Sequence, residues 1–347
     1  MENGGAFSLT GKPNGHDQQG PQLTSRETND RGARRHIAGD LESAKQDYLS
    51  ALADDPNNAT AHNNLGFLLA QEGDWDEAIR HYSQALHIDP GKSMAMANMA
   101  LAYVAQGNDE AGIEWLRNAV EADSTNLLAW ENLSRLLLKL NRFGDAEAAA
   151  RMTLNLSPHE ARFYLVLGLS VAGQQRLTEA AEILHRAVQL DPNSPQAWEQ
   201  YGVVLMLRQD LGSATDALQR AITLEPGNLS ARYHLALALL AKGEQANARR
   251  ELDQVLIIDP GHIAAKLDLA VLSLASGEGP LALNRLDQVL QADPANVRAL
   301  FYRAIVLEQL KRWPEAVPIL ESLANSGTGK YSEKARLYLE QKAERPN

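Results

Sequence analysis

AHNNLGFLLAQEGDWDEAIRHYSQALHIDP, Ala61 to Pro90, decides how the whole chain reads. It starts as a helix of Ala, Leu and Phe, passes through Gly73, and ends on Asp89-Pro90. The ending recurs at Asp55-Pro56, Asp191-Pro192, Asp259-Pro260 and Asp293-Pro294, with Ser157-Pro158 and Glu225-Pro226 as variants. The prolines are 34 residues apart, with one gap of 68 whose missing slot holds Ser124. A fixed period of this length marks a repeat array, in which each repeat is one supersecondary unit.

With the proline as position 32, two columns hold only small residues. Position 8 reads Gly32, Gly66, Ala100, Ser134, Gly168, Gly202, Ala236, Ala270, Ala304. Position 20 reads Ala44, Ala78, Gly112, Ala146, Ala180, Ala214, Ala248, Ala282, Ala316. Small residues let two helices cross at close range. Position 24 is large in most units, as in Tyr48, Tyr82 and Leu218. Position 15 is often glycine (Gly39, Gly73, Gly107, Gly243, Gly277), which suits a helix terminus at positive φ. Each unit therefore reads as helix, tight turn, helix, proline-marked turn.

Leu65-Gly66, Ala78-x3-Tyr82 and Pro90 resemble the tetratricopeptide-repeat signature, W-x2-L-G-x2-Y, then A-x3-F, then P. Trp198, Gly202, Ala214-x3-Leu218 and Pro226 match it again, with Tyr201 in the Leu slot. The chain is thus similar to tetratricopeptide-repeat (TPR) proteins. The units run 25–58, 59–92, 93–126, 127–160, 161–194, 195–228, 229–262, 263–296 and 297–330. The resemblance implies an all-α fold, a right-handed superhelical solenoid of antiparallel helix pairs. The first helix of each pair would line a concave groove. Residues 1–24 read as a disordered tail and 331–347 as a capping helix. Unit one is polar where the family is aromatic or aliphatic (Thr28, Arg31, Arg35), as a free end requires. Unit nine carries Pro318 within its second helix and Thr328 in the proline slot, so it should be irregular.

Composition agrees with helices and narrows the chemistry. Apolar content is 44% but aromatics are only 5%, which favours helix over strand. A net charge of −11 argues against a partner held through nucleic-acid phosphates. The absence of cysteine removes disulfides, thiolate zinc sites and a thiol nucleophile. The N-terminus lacks a secretory pattern and no apolar run is long enough for a membrane helix, so the expected location is the cytoplasm.

No enzyme signal survives inspection. SGTGKYS, Ser326 to Ser332, has Ala324 and Tyr331 where a phosphate-binding loop needs Gly and Ser/Thr. The nine histidines show no metal-ligand spacing, and His81 and His87 read as surface residues. Acid pairs such as Asp54-Asp55 sit beside turn prolines, where Asp caps backbone groups. A non-enzymatic protein without a cofactor or metal is expected.

In the resembled family, positions 2, 5, 6, 9, 12 and 13 of the first helix face the groove. Position 6 carries Asn64, Asn98 and Asn132 in three consecutive units. An amide both donates and accepts, so this row could grip a peptide backbone. It is similar to the asparagine ladder in the repeats of O-linked N-acetylglucosamine transferases. The alternative is that Asn is habitual at this position. Position 9 reads Phe67, Leu101, Arg135, Leu169, Val203, Leu237, Val271 and Ile305. Position 5 adds Tyr233, Leu267 and Phe301. From unit five onward the lining is expected to be mainly apolar, which marks a partner site unless packing buries it. Position 2 carries Arg162 and Arg298, but no lysine row forms a carboxylate clamp. The expected function is an adaptor holding a peptide segment or amphipathic helix of a protein partner. The alternatives are a self-assembling scaffold, hence a homo-oligomer, and an accessory subunit recruiting substrates for a separate enzyme.

Overall fold

The computed structural model describes residues 23–327 and 329–343, which contain nineteen α-helices and no strand. Thr328, the expected proline-slot residue of unit nine, and most of the expected tail lie outside the described residues. The chain divides into two bodies, Met1–Asp191 and Pro192–Asn347.

The first body contains five helix pairs: α1 (Ser25–Ile37) with α2 (Leu41–Asp54), α3 (Ala59–Gln71) with α4 (Trp75–Ile88), α5 (Ser93–Ala105) with α6 (Asp109–Ala122), α7 (Leu127–Lys139) with α8 (Phe143–Leu156), and α9 (Ala161–Gly173) with α10 (Leu177–Leu190). The second contains α11 (Pro195–Leu207) with α12 (Leu211–Leu224), α13 (Leu229–Ala241) with α14 (Gln245–Ile258), α15 (Ile263–Ala275) with α16 (Gly279–Ala292), and α17 (Val297–Gln309) with α18 (Trp313–Asn325), closed by α19 (Lys330–Ala343). Within each body, every second helix also packs on the first helix of the next unit. The core is thus continuous along each stack, as repeats require when none can bury its apolar face alone.

The helix starts are written in the turns. In the turns between units, the Oδ1 atoms of Asn58, Asn126, Asn228 and Asn296 accept from the backbone N–H of Ala61, Ala129, Ala231 and Ala299 at 2.9–3.0 Å. Each satisfies one donor that a helix start leaves orphaned. Two of these asparagines also close a serine clasp with the first helix of their own unit. Ser25 Oγ donates to the Ala51 carbonyl at 2.6 Å and accepts from Asn58 Nδ2 at 2.9 Å. Ser93, Ala119 and Asn126 repeat this clasp two units later.

The small columns mark real close approaches. A Cβ on Gly66 would lie 2.8 Å from the Tyr82 ring, so the large residue of position 24 sits directly over position 8 of its own unit. The alanines of position 20 are fully buried. Position 15 has positive φ in every unit: 76° to 86° at the five glycines, and 57° to 66° at Asn141, Gln175, Gln209 and Lys311. Four units therefore hold a side chain in the left-handed region.

Helices form at both ends, including unit nine, where Pro318 predicts an irregularity. At the start, α1 is intact, capped by Thr24 in a capping box with Glu27. Its arginines have a use: the buried Asp47 carboxylate of α2 accepts from Arg31 at 2.6 Å and pairs with Arg35 at 2.9 Å. At the other end, α18 continues through Pro318, although it has 13 residues where the other second helices have 14. Pro318 lies on an exposed face, where water can serve the carbonyl that loses its donor. Ala335, Tyr331, Tyr338 and Leu339 of α19 pack into one cluster with Ala304, Leu307, Leu320 and Leu323.

Candidate partner-binding face of the first helices

In the first body, neighbouring first helices are joined by asparagine amides. Asn64 and Asn98 are buried, and their partners belong to the protein itself. Asn98 Nδ2 donates to Asn63 Oδ1 at 3.0 Å, and Asn63 Nδ2 to Asn64 Oδ1 at 3.3 Å. Asn64 Nδ2 then donates to Asn29 Oδ1 at 3.1 Å, and Asn29 Nδ2 to Asp30 at 3.3 Å. All donors point the same way, toward a terminal carboxylate. Each step between helices spans 35 residues, because position 5 of one unit meets position 6 of the next.

The chain of amides ends for a simple reason. Position 5 of unit three is Ala97, which can neither accept from Asn132 nor donate to Asn98. Asn132 Nδ2 turns back to the Leu128 carbonyl of its own helix at 2.9 Å, and the buried Asn98 Oδ1 is left with no hydrogen-bond partner. From sequence, these three amides either face a peptide or are simply habitual at position 6. In the structure only Asn132 is partly exposed.

In the second body the same 35-residue contact is carried by ionisable groups. Position 5 of unit six is Glu199, 3.6 Å from His234 at position 6 of unit seven. The Glu199 carboxylate also accepts from Ser230 at 2.6 Å and Asn228 at 3.2 Å. The His234 hydrogen bond, then those of Ser230 and Asn228, outweigh burial and hold Glu199 below the usual carboxylate range. One unit on, Tyr233 donates to the buried Asp268 at 2.9 Å, and Arg298 donates to the same carboxylate at 2.5 Å. Burial, then the negative charge of Asp268, push the Tyr233 phenol far up, so it stays a donor. The first body also holds an acid at position 5, outside any 35-residue contact: buried Glu131 pairs with Arg162 at 3.2 Å and Arg135 at 3.7 Å. None of these acids stood out in sequence, because they sit in different columns from the residues they meet.

The apolar rows divide by exposure. Phe67, Leu267 and Phe301 are buried. Phe301 lies against Tyr331 and Tyr338 of α19, with ring centroids at 5.6 and 6.5 Å, and Ile305 joins that cluster. Leu169, Val203, Tyr233, Leu237, Val271 and Ile305 are half-buried, as are Met206, Leu240 and Leu274 at position 12. Arg135 is exposed. Val203 with Met206, Leu237 with Leu240 and Val271 with Leu274 each lie three residues apart, on one face of their helix. No cluster of three or more His, Asp or Glu side chains able to hold a metal occurs among the described residues. No described helix is long and apolar enough to cross a membrane.

Comparison with known proteins gives the architecture a family. Profiles described as tetratricopeptide repeat match residues 131–195, 202–263 and 267–329, and again 59–92 and 95–126; a profile described as TPR repeat matches 32–73. No curated protein matches the chain. Among solved structures, the APC/C hetero-tetramer Cut9–Hcn1 is similar over 82% of this chain and 56% of its own, at 17% identity and a TM-score of 0.56. The C-terminal part of a TPR repeat-containing protein from Cytophaga hutchinsonii is similar over 69% of this chain and 98% of its own, at 15% identity and a TM-score of 0.55. Pseudomonas aeruginosa pilF is similar over 60% of this chain and 95% of its own, at 20% identity and a TM-score of 0.52. These likenesses show the fold, an all-α repeat of helix pairs. With 34-residue units in register and matching profiles over more than half its length, the chain belongs to the tetratricopeptide-repeat family, a protein-interaction repeat.

Proposed function

We propose that the protein is a non-enzymatic adaptor, and that the first helices of its second body hold an amphipathic helix of a partner protein. The half-buried pairs Val203 with Met206, Leu237 with Leu240 and Val271 with Leu274 carry this reading. They present apolar surface at regular steps, which in water is stabilised by a partner that covers it.

Helical form of the ligand follows from the hydrogen bonding. An extended peptide brings unpaired backbone N–H and C=O groups that need partners once desolvated. The buried polar side chains of this face, Glu199 and Asp268, are already engaged with Ser230, Asn228, Tyr233 and Arg298. A helix satisfies its own backbone and needs only apolar contact, the helix-in-groove mode. The first body presents one such pair, Leu101 with Val104, and the exposed Arg135 of the next unit interrupts the apolar row there.

Site-specific photo-crosslinking tests the proposal. A photoreactive residue at position 237 or 271 should capture the partner, and one at the exposed Gln254 of α14 should not. Leu237→Glu combined with Val271→Glu should abolish partner retention while the circular dichroism stays helical. Retention by the folded double variant would remove this face from the function.

A further inference from the structure

In unit two, His62 of α3 and His81 of α4 meet head to head. Their Nδ1 atoms are 2.9 Å apart and their ring centroids 5.2 Å apart. Two rings whose nitrogens approach this closely need one proton between them. The tautomers follow from a third contact: His62 Nε2 lies 3.2 Å from the Pro56 carbonyl, which can only accept. His62 therefore carries its proton on Nε2 and has a bare Nδ1, and His81 donates from Nδ1. The charged groups acting on the pair are both on α4: Glu77 favours protonation of His81 and Arg80 opposes it. They pair with each other at 2.9 Å, so their effects largely offset. From the turn before α3 the pair meets only the Pro56 carbonyl.

We propose that the His62–His81 pair is a pH latch on unit two, which tolerates one added proton and opens on the second. The first proton goes to His81 Nε2. His81 still donates from Nδ1, now as a cation, and the bond is strengthened. The second proton must go to His62 Nδ1. It removes the acceptor and sets two imidazolium rings against each other. The helix it loosens is α3, which also carries Asn63 and Asn64, the central links of the amide chain. Acid would then unfasten unit two from its neighbours on both sides.

The test is NMR of the ring nitrogens across pH 8 to 4, with amide exchange in α3 and α4 followed in parallel. Expected at pH 8 are His62 protonated on Nε2 and His81 on Nδ1. Two separate titration steps should follow, as for any strongly coupled pair. The second step should lower amide protection in α3 and α4, taken against the intrinsic rate at each pH, about tenfold, the equivalent of one unit of pKa displacement. In His81→Gln the amide can either donate or accept, so it keeps its bond to His62 in both charge states, and the acid-induced exchange should vanish. Both rings titrating together in one step as Nε2 tautomers would overturn the latch. So would acid-induced exchange in His81→Gln at the same pH as in the unmodified chain.

Discussion

The two bodies solve one joint in two chemistries. In the first, position 5 meets position 6 through neutral amides, Asn29 with Asn64 and Asn63 with Asn98. In the second, the same contact is Glu199 with His234 and Tyr233 with Asp268. Neutral amides are undemanding to bury when paired and do not respond to pH. Buried carboxylates cost more to desolvate and depend on every partner being present. The difference teaches that the repeat prescribes where units touch, and leaves open what they touch with.

The harshest way to break the comparison is Asp268→Ala. It strands Arg298 and Tyr233 without their common acceptor, and should cost about 3 kcal/mol, the low end for a broken buried pair because Arg298 is one-third exposed. Hydrogen exchange in α13, α15 and α17 would register the loss, since stability in a repeat array is local. On the amide side, Asn64→Ala leaves Asn29 and Asn63 each short of a partner and should cost about 2 kcal/mol, read as faster exchange in α1 and α3.

Acid separates the two chemistries further. Glu199→Gln should cost about 1.5 kcal/mol at pH 7 through its charge-assisted bonds. Because the folded-state pKa of Glu199 is depressed, its contribution is present above the ordinary glutamate value of 4.5 and is lost as pH falls from there. Urea titrations at pH 7 and pH 3.5 should therefore show the penalty of Glu199→Gln shrinking in acid. In the His81→Gln background, where unit two stays fastened in acid, the Asn64→Ala penalty should be the same at pH 7 and pH 3.5. Equal acid sensitivity in both variants would erase the distinction drawn above.

Ala97→Asn sharpens it from the other side. A third amide at position 5 would donate to the orphaned Asn98 Oδ1 and accept from Asn132. Asn63 occupies the same register one unit earlier and is fully buried, so a gain of about 1 kcal/mol in thermal or urea unfolding is expected. A loss would mean that the space around Ala97 is closed to an amide. The smallest effect is shared by the bodies: Gln175→Gly in one and Gln209→Gly in the other should each stabilise by about 0.5 kcal/mol. Relief of the left-handed backbone exceeds the entropy glycine adds to the unfolded chain.

Most of the fold was legible in sequence because it is periodic. The Asp-Pro turns, the small residues at positions 8 and 20, and the glycines at position 15 each recur for a steric reason, and the structure puts Tyr82 over Gly66 as those columns demand. The site was less legible because an aligned column records equivalence, not contact. Asn64, Asn98 and Asn132 share a column, so they read as one row facing outward. Their partners sit one position earlier in the preceding unit, at Asn29, Asn63 and the gap at Ala97. The same offset hid the Tyr233–Asp268 bond. The positive φ at Asn141, Gln175, Gln209 and Lys311 was hidden too, since none of these residues announces it as glycine does.

The 35-residue joint also sets a grammar for recombination. Each unit exposes a position-5 half-joint to its successor and a position-6 half-joint to its predecessor, so two units can be spliced only where the halves agree. Unit two, with Asn63 and Asn64, matches a copy of itself and could be multiplied in tandem. Unit three offers Ala97 forward and Asn98 backward, and duplicating it would bury an unmet amide at every new seam.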